Sequence, residues 1–313
     1  MMMKDAGRLA MAAGAASVWM VLAGCAAAPT LTPQARNHYD QTQQQVAQAG
    51  AALLVETCLY RLEVGTSHVY PALSEAGATR LVQAVSKTLT EKGVKVVSTH
   101  TPFVCSVLEP DYLQTLTQVD KPGGEQKPIT SYPLKNTGTA LPADQETTTL
   151  GLLKKLRALA PTRDVAADTE VKAMALDITP EEASALVRQF GAPYLWVVDI
   201  QEQDVSMGRS ISMVALTSTL TLGLTGGAFA SWSTNEDAVG NMVALIDLTR
   251  REVLWKKQSS AVARGLVDFE RPVGTEEQAR VGAAVLLQPF YPLPVAETTP
   301  ATTPPPAATT AAK

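Results

Sequence analysis

Ala51-Ala52-Leu53-Leu54-Val55-Glu56-Thr57-Cys58-Leu59-Tyr60-Arg61-Leu62-Glu63-Val64 decides the fold, together with the forty residues after it. The stretch is rich in Leu, Val, Tyr and Thr and reads as a buried strand. Ser74 stands as the N-cap of a helix whose Ala78, Leu81, Val82, Val85 and Leu89 recur at i, i+3, i+4, i+7 and i+11, one face of a 3.6-residue period. Lys87 and Lys92 suit the negative end of the helix dipole, and Gly93 is placed as the C′ residue. Val94, Val96 and Val97 begin a second strand. The order strand, helix, strand is a β-α-β unit.

Toward the C-terminus, residues 112–150 turn polar, with Gly123, Gly124 and prolines at 122, 128, 133 and 142, Pro110 just preceding. A structureless run of this length is unusual inside a compact core, so it reads as an insertion or long loop. Leu150 to Leu159 is expected to be helical. Thr179-Pro180-Glu181-Glu182 opens another helix, with Pro at its first position and acids at its positive end, closing near Phe190-Gly191. Tyr194 to Ile200 is a strongly apolar central strand. Asn241 to Gln258 forms a hairpin turning through Arg250-Arg251, and Gly274 to Gln288 a last amphipathic helix with Ala279, Val281, Ala284, Val285 and Leu287 available for packing. The expected fold class is α/β, a two-layer mixed sheet with a β-α-β unit, a C-terminal β-hairpin and a final helix.

Toward the N-terminus, Pro29 and Pro33 are expected to prevent an early helix, and Gln41, Gln43, Gln44, Gln45 and Gln48 give a polar stretch with little to bury. Residues 25–50 therefore read as a tether, ahead of an α/β domain at 51–293. Residues 294–313 hold Pro304-Pro305-Pro306 in a Pro/Thr/Ala tail expected to be disordered. At the start, Lys4 and Arg8 precede an uncharged run from Leu9 to Leu22 that falls short of the roughly 20 residues of a membrane-spanning helix. That run ends in Val21-Leu22-Ala23-Gly24-Cys25, which resembles a bacterial lipobox. The resemblance implies a signal peptide at 1–24 and a mature chain beginning at Cys25, acylated with a diacylglycerol and usually a third chain. By the sorting rule of enteric bacteria, Ala26 after the Cys implies the outer membrane, with the domain facing the periplasm. Two or more acyl chains anchor a protein stably. A net charge of −4 leaves no cationic stripe for nucleic acid.

Two stretches resemble a group of envelope lipoproteins that includes the curli secretion lipoprotein family, the penicillin-binding-protein activator lipoproteins and the N-terminal domain of the Tol translocation protein. Gly191-Ala192-Pro193-Tyr194-Leu195-Trp196-Val197-Val198 is similar to their Gly-Ala-Asp-Tyr strand entry, with Pro193 in place of Asp. Asp247-Leu248-Thr249-Arg250-Arg251-Glu252-Val253-Leu254-Trp255 resembles their hairpin pattern Asp-x-x-Thr-Gly-Glu-Val-x-Trp, with Arg250 and Arg251 where Thr and Gly are usual. A positive φ at Arg251 would cost on the order of 1 kcal/mol, so a rebuilt turn is the alternative. The resemblance covers residues 51–105 and 180–290 and implies fold more firmly than function.

The chain has 3 His, of which His38 lies in the expected tether, and neither His68 nor His100 has a metal-ligand context. Gly65-Thr66-Ser67-His68 is not a Gly-x-Ser-x-Gly nucleophile turn, and neither Gly123-Gly124 nor Gly226-Gly227 matches a phosphate loop. The expectation is a protein without catalysis, metal or cofactor. Cys58 and Cys105 remain as an even pair once Cys25 is lipidated, and adjacent parallel strands bring them within bonding distance, so a disulfide is expected over two buried thiols. Residues 210–235 carry no charge. Val214, Leu216, Leu220, Leu222 and Leu224 alternate as on a strand with one apolar face, while Met213, Leu216, Leu220 and Leu224 also suit a helix. This face is the expected contact surface, toward another envelope protein, toward further copies of the chain, or, as the curli-type resemblance implies, within a membrane-inserted hairpin; a core or subunit-interface element is the alternative reading of the same residues. The functional expectation is a lipid-anchored periplasmic adaptor or assembly factor, with a subunit of an oligomeric secretion channel as the alternative.

Overall fold

The computed structural model describes residues 31–62, 67–138, 140–160, 173–205, 237–259 and 276–292. Its spine is a long strand, β1 (Ala51–Leu62), paired along its whole length in parallel with β9 (Tyr194–Val205). On the far side of β9 the sheet continues antiparallel through β10 (Asp237–Asp247), β11 (Glu252–Ser259) and the short β8 (Met174–Ala175). On the other side of β1, the first half carries parallel β3 (Val96–His100) and, at Thr57, parallel β4 (Phe103–Val104), itself flanked by β7 (Leu134–Lys135). The second half carries antiparallel β2 (Ser67–Val69), then β5 (Thr117–Gln118) and β6 (Lys127–Pro128). The fold is the expected mixed α/β assembly, with its β-α-β unit, its C-terminal hairpin and its final helix.

Strands buried on both faces read as continuous apolar runs, and β1 is buried almost throughout. Its Ala51, Leu53, Val55 and Leu59 join Trp196, Val198, Val243 and Leu245 beneath three helices, α1 (Pro33–Ala49), α2 (Pro71–Glu91) and α6 (Glu276–Leu286). Phe290, just past α6, sets its ring edge-on to Trp196 at 5.4 Å and packs on Trp255 and Tyr39. The alternate residues Ala52 and Leu54 join Leu195, Val197, Ala244 and Ile246 beneath α4 (Ala143–Ala158) and α5 (Pro180–Phe190), which contribute Leu152, Leu153, Leu156, Leu186 and Phe190. Helices therefore cover both faces of the sheet.

Four local readings need correction. The tether expected over residues 25–50 is helical from Pro33 onward, and Ala35, Tyr39, Thr42 and Val46 bury one side of it. Pro33 starts this helix because N1 needs no amide hydrogen, and the Thr32 hydroxyl accepts from the Ala35 amide as its cap. Gly50, at φ +77, then turns the chain into β1, a conformation strained for any residue with a Cβ, which here would also crowd the Lys95 carbonyl and Val97 at 3.1 Å. Ser74 is not an N-cap: α2 begins at Pro71, and the buried Ser74 hydroxyl donates to the Tyr70 carbonyl while accepting from the Leu59 amide. The polar stretch 112–150 holds β5, β6 and β7, preceded by the one-turn α3 (Pro110–Leu113), and α4 starts at Ala143 rather than Leu150. Ala279 on α6 and Leu287 just past it pack as expected, Ala283 and Leu286 are the further buried residues, and Val281 faces solvent instead of packing.

Other readings hold. Gly93 takes positive φ after α2, and Thr179 and Glu182 form a reciprocal capping box on α5, which ends in left-handed Gly191. The β10–β11 turn keeps its geometry without glycine. Arg251 sits at φ +59, and the Asp247 carboxylate accepts from the Thr249 amide and hydroxyl and the Arg250 amide at 2.6–2.9 Å, which holds the turn against that strain.

Candidate functional site

Because β1 and β9 run in parallel register, Glu56 stands directly beside Asp199. Both lie on the face covered by α4 and α5, and each is only 1% exposed. Two neighbouring carboxylates in such a place repel each other and lose hydration, so they require a cation. Arg157, in the last turn of α4, supplies it. Its Nε donates to Asp199 Oδ2 at 2.8 Å and its Nη2 to Glu56 Oε2 at 3.0 Å, while Nη1 reaches the Ser106 carbonyl at 3.1 Å. Ser106 completes the arrangement, its amide donating to Glu56 Oε1 and its hydroxyl to Glu56 Oε2 at 2.6 Å. Tyr132 OH closes the outer side with a bond to the Ser106 carbonyl at 3.2 Å.

Electrostatics follow from this packing. Burial pushes the Glu56 carboxyl above its ordinary range, and the Asp199 charge adds to that, against the opposing pull of Arg157 and Ser106. Burial works against the Arg157 charge as well, but Asp199 and Glu56 more than offset it and hold the guanidinium protonated. Among the described residues, none donates a hydrogen bond to Asp199 Oδ1. Lys256 lies on the same face, opposite Ala244 of β10, and donates its buried Nζ to the Leu159 carbonyl, one residue past α4. Burial lowers its pKa.

The disulfide aims Ser106 at this cluster. Cys58, two residues after Glu56, is bonded to Cys105 with the α-carbons 4.3 Å apart. Cys105 sits at φ +55 and its amide donates to the Thr57 carbonyl at 3.3 Å, so the chain leaves β4 in a sharp turn that delivers Ser106 to the carboxylate. The pairing expected from the sequence is therefore present, buried among Val69, Val104, Leu108, Leu113 and Leu134. Every Glu56 oxygen is engaged, and the Ser106 hydroxyl gives its proton to that carboxylate. Chemically the arrangement is a buried ionic lock tying β1, β9, α4 and the disulfide loop together.

Cys25 and the expected contact residues Val214, Leu216, Leu220, Leu222 and Leu224 lie outside the described residues, as do Gly65-Thr66 and the tail. What is described is where the uncharged stretch leaves and returns: β9 ends at Val205, β10 begins at Asp237, and Asp204 pairs with Asp237. Ser67 begins β2, and His68 Nδ1 lies 2.6 Å from Thr117 Oγ1. His100 stacks edge-on against Phe190, and burial lowers its pKa. Among the described residues no three His, Cys, Asp or Glu lie together as a metal site, and no helix is long and apolar enough to cross a membrane. A cleft of about 240 Å³ opens between α2 and α6 beside Glu91, Lys92 and Arg280, with Lys92 Nζ donating to the Pro292 carbonyl at 3.2 Å.

The lock itself is absent from the sequence reading. Its only local signal is a carboxylate interrupting each of two apolar strands, at Glu56 and at Asp199. The comparisons add no relative to this picture: no family model, curated protein or solved structure matches the chain.

Proposed function

We propose that this chain is a lipid-anchored envelope protein acting as a non-catalytic periplasmic adaptor or assembly factor. Acylation of Cys25 fixes it to the outer membrane, and the apolar face of Val214, Leu216, Leu220, Leu222 and Leu224 engages another envelope protein. The observation that carries this reading is the β9–β10 ladder. It continues to Asp204 opposite Asp237, so the uncharged residues 210–235 fall in the chain between two strand ends that are neighbours in the sheet. A contiguous apolar face on the outside of a folded domain marks an interaction site, and that is the role proposed for these residues. In the Glu56–Arg157–Asp199 lock both Glu56 oxygens and Asp199 Oδ2 bond within the cluster, which supports the non-catalytic part.

The test replaces Leu220 and Leu222 with Asp together. Capture of the partner, followed by crosslinking in cells and mass spectrometry, should be lost while the circular dichroism melt is unchanged, since a contact surface tolerates charge in the free protein and a core does not. A collapsed melting transition would refute the reading.

The same ladder favours a second reading. Two antiparallel strands leaving the sheet side by side suit a membrane hairpin, and strands crossing an outer membrane need only about 9–11 residues each. In that case the chain is a subunit of an oligomeric secretion or transport channel. Ring-sized particles in detergent, lost in the same double variant, distinguish it from the adaptor.

A further inference from the structure

Ser106 meets the ionic lock with every polar group it has. Its amide and hydroxyl donate to Glu56, the hydroxyl also accepts from Arg157 Nη2 at 3.2 Å, and the carbonyl accepts from Arg157 Nη1 and from Tyr132. The backbone that presents it has few ties of its own. β4, just before it, is 2 residues long, pairs with β1 at Thr57 alone, and has on its other edge β7, which is equally short. Cys105, the residue between β4 and Ser106, sits at φ +55 with its amide 3.3 Å from the Thr57 carbonyl. A residue with a Cβ leaves that left-handed conformation when nothing holds it. What holds it is the covalent bond to Cys58, which shares a face of β1 with Glu56 at the i, i+2 spacing. Both cysteines are fully buried, so a reductant has no path to the sulfurs while the loop is in place.

We propose that the Cys58–Cys105 disulfide is a redox gate on the lock: oxidation closes the lock by fixing Ser106 against Glu56, and the closed lock in turn shields the disulfide from reductant. By linkage, each stabilises the other to the same extent. In the opening direction a dithiol reductant supplies two electrons and two protons, the bond between the two Sγ atoms breaks to give two thiols, and the reductant closes its own disulfide. Cys105 then relaxes from positive φ and Ser106 withdraws, which leaves Glu56 with Arg157 as its donor. The rest of the sheet does not depend on the bond, because β1 and β9 stay paired along their whole length. The lock therefore closes in an oxidising compartment and stays open in a reducing one. The gate is independent of the lipid anchor and of residues 210–235.

The test exposes the oxidised full-length chain to dithiothreitol under native conditions and follows alkylation at Cys58 and Cys105 by mass spectrometry. Ser106→Ala removes the hydroxyl bond to the Glu56 carboxylate and leaves the disulfide intact, so it should speed reduction by about tenfold or more. Arg251→Val weakens the fold at the opposite end of β9, where Tyr194 pairs with Asp247, whereas Cys58 pairs with Gln201. It should leave the rate close to that of the wild type, because local opening of the loop and not unfolding admits the reductant. Acceleration by Arg251→Val as great as by Ser106→Ala, or none by Ser106→Ala, would overturn the proposal. Hydrogen exchange before and after reduction reads the other direction: the Ser106 amide should lose protection while those of β9 and β10 keep theirs. Protection retained at Ser106, or lost across the whole sheet, would overturn it equally.

Discussion

Replacing Arg157 with Met removes one charge from the lock while leaving a side chain of similar length to fill the space. Glu56 and Asp199 then face each other with side chains 2% and 0% exposed and no cation between them. Deleting one partner of a buried ion pair costs about 3–5 kcal/mol, because the remaining charge is neither hydrated nor paired. At roughly 2–4 °C per kcal/mol for a domain of this size, Tm at neutral pH should fall by at least about 6 °C. The sign of the pH dependence is fixed by Glu56. Its folded pKa already lies above the ordinary value through burial, and loss of Arg157 raises it further. A carboxyl whose folded pKa exceeds its unfolded one costs stability above the folded pKa, and that cost disappears as pH falls through it. The deficit of Arg157→Met should therefore shrink between neutral pH and about pH 5, and adding Glu56→Gln should recover much of it at neutral pH. Calorimetric melts of the oxidised protein at both pH values measure this directly. A neutral-pH deficit below about 1 kcal/mol, or one unchanged by acid and by Glu56→Gln, would refute the assignment of a charged lock.

Two further outcomes can be checked independently. Cys25→Ser should release the chain from the outer membrane or leave it unprocessed in the inner membrane, and a mature-sized variant still fractionating with the outer membrane would exclude lipid anchoring. At the β10–β11 turn, Arg251→Val should cost about 1–2 kcal/mol in urea unfolding, because a β-branched residue is strained at φ +59, whereas Arg251→Gly should stay close to the wild type as relief of strain offsets greater chain entropy and the lost bond to the Ile178 carbonyl.

Elements whose cause is local were legible. Thr179 and Glu182 cap α5 through their own neighbouring amides, and the apolar run Met242 to Leu248 needs only the sheet it joins. α1 was hidden because its glutamines dilute the pattern to Tyr39 and Val46, and because Pro33 signals a helix start only when the residue before it caps. Ser74 drew attention from Pro71 in the same way: a buried serine bonded to Tyr70 and Leu59 has the identity of a cap without its position. The lock could not be assembled from sequence, since Arg157 meets partners 101 and 42 positions away in the chain. Isolated carboxylates within apolar strands nonetheless state that a cation must arrive from somewhere. The cysteine pair was accessible because the β-α-β order fixes which strand ends become neighbours.

The helix at Pro33–Ala49 also sets a distance. Were residues 25–50 a free leash, the domain would range roughly 90 Å from an acylated Cys25 at about 3.5 Å per residue. With the helix docked on Phe290 and the sheet, at most roughly 28 Å of chain can separate Pro33 from Cys25. On the proposed acylation of Cys25, that limit would confine the domain to a thin layer against the bilayer, where membrane-embedded proteins and others moored beside it are within reach and anything deeper in the envelope would have to come to it.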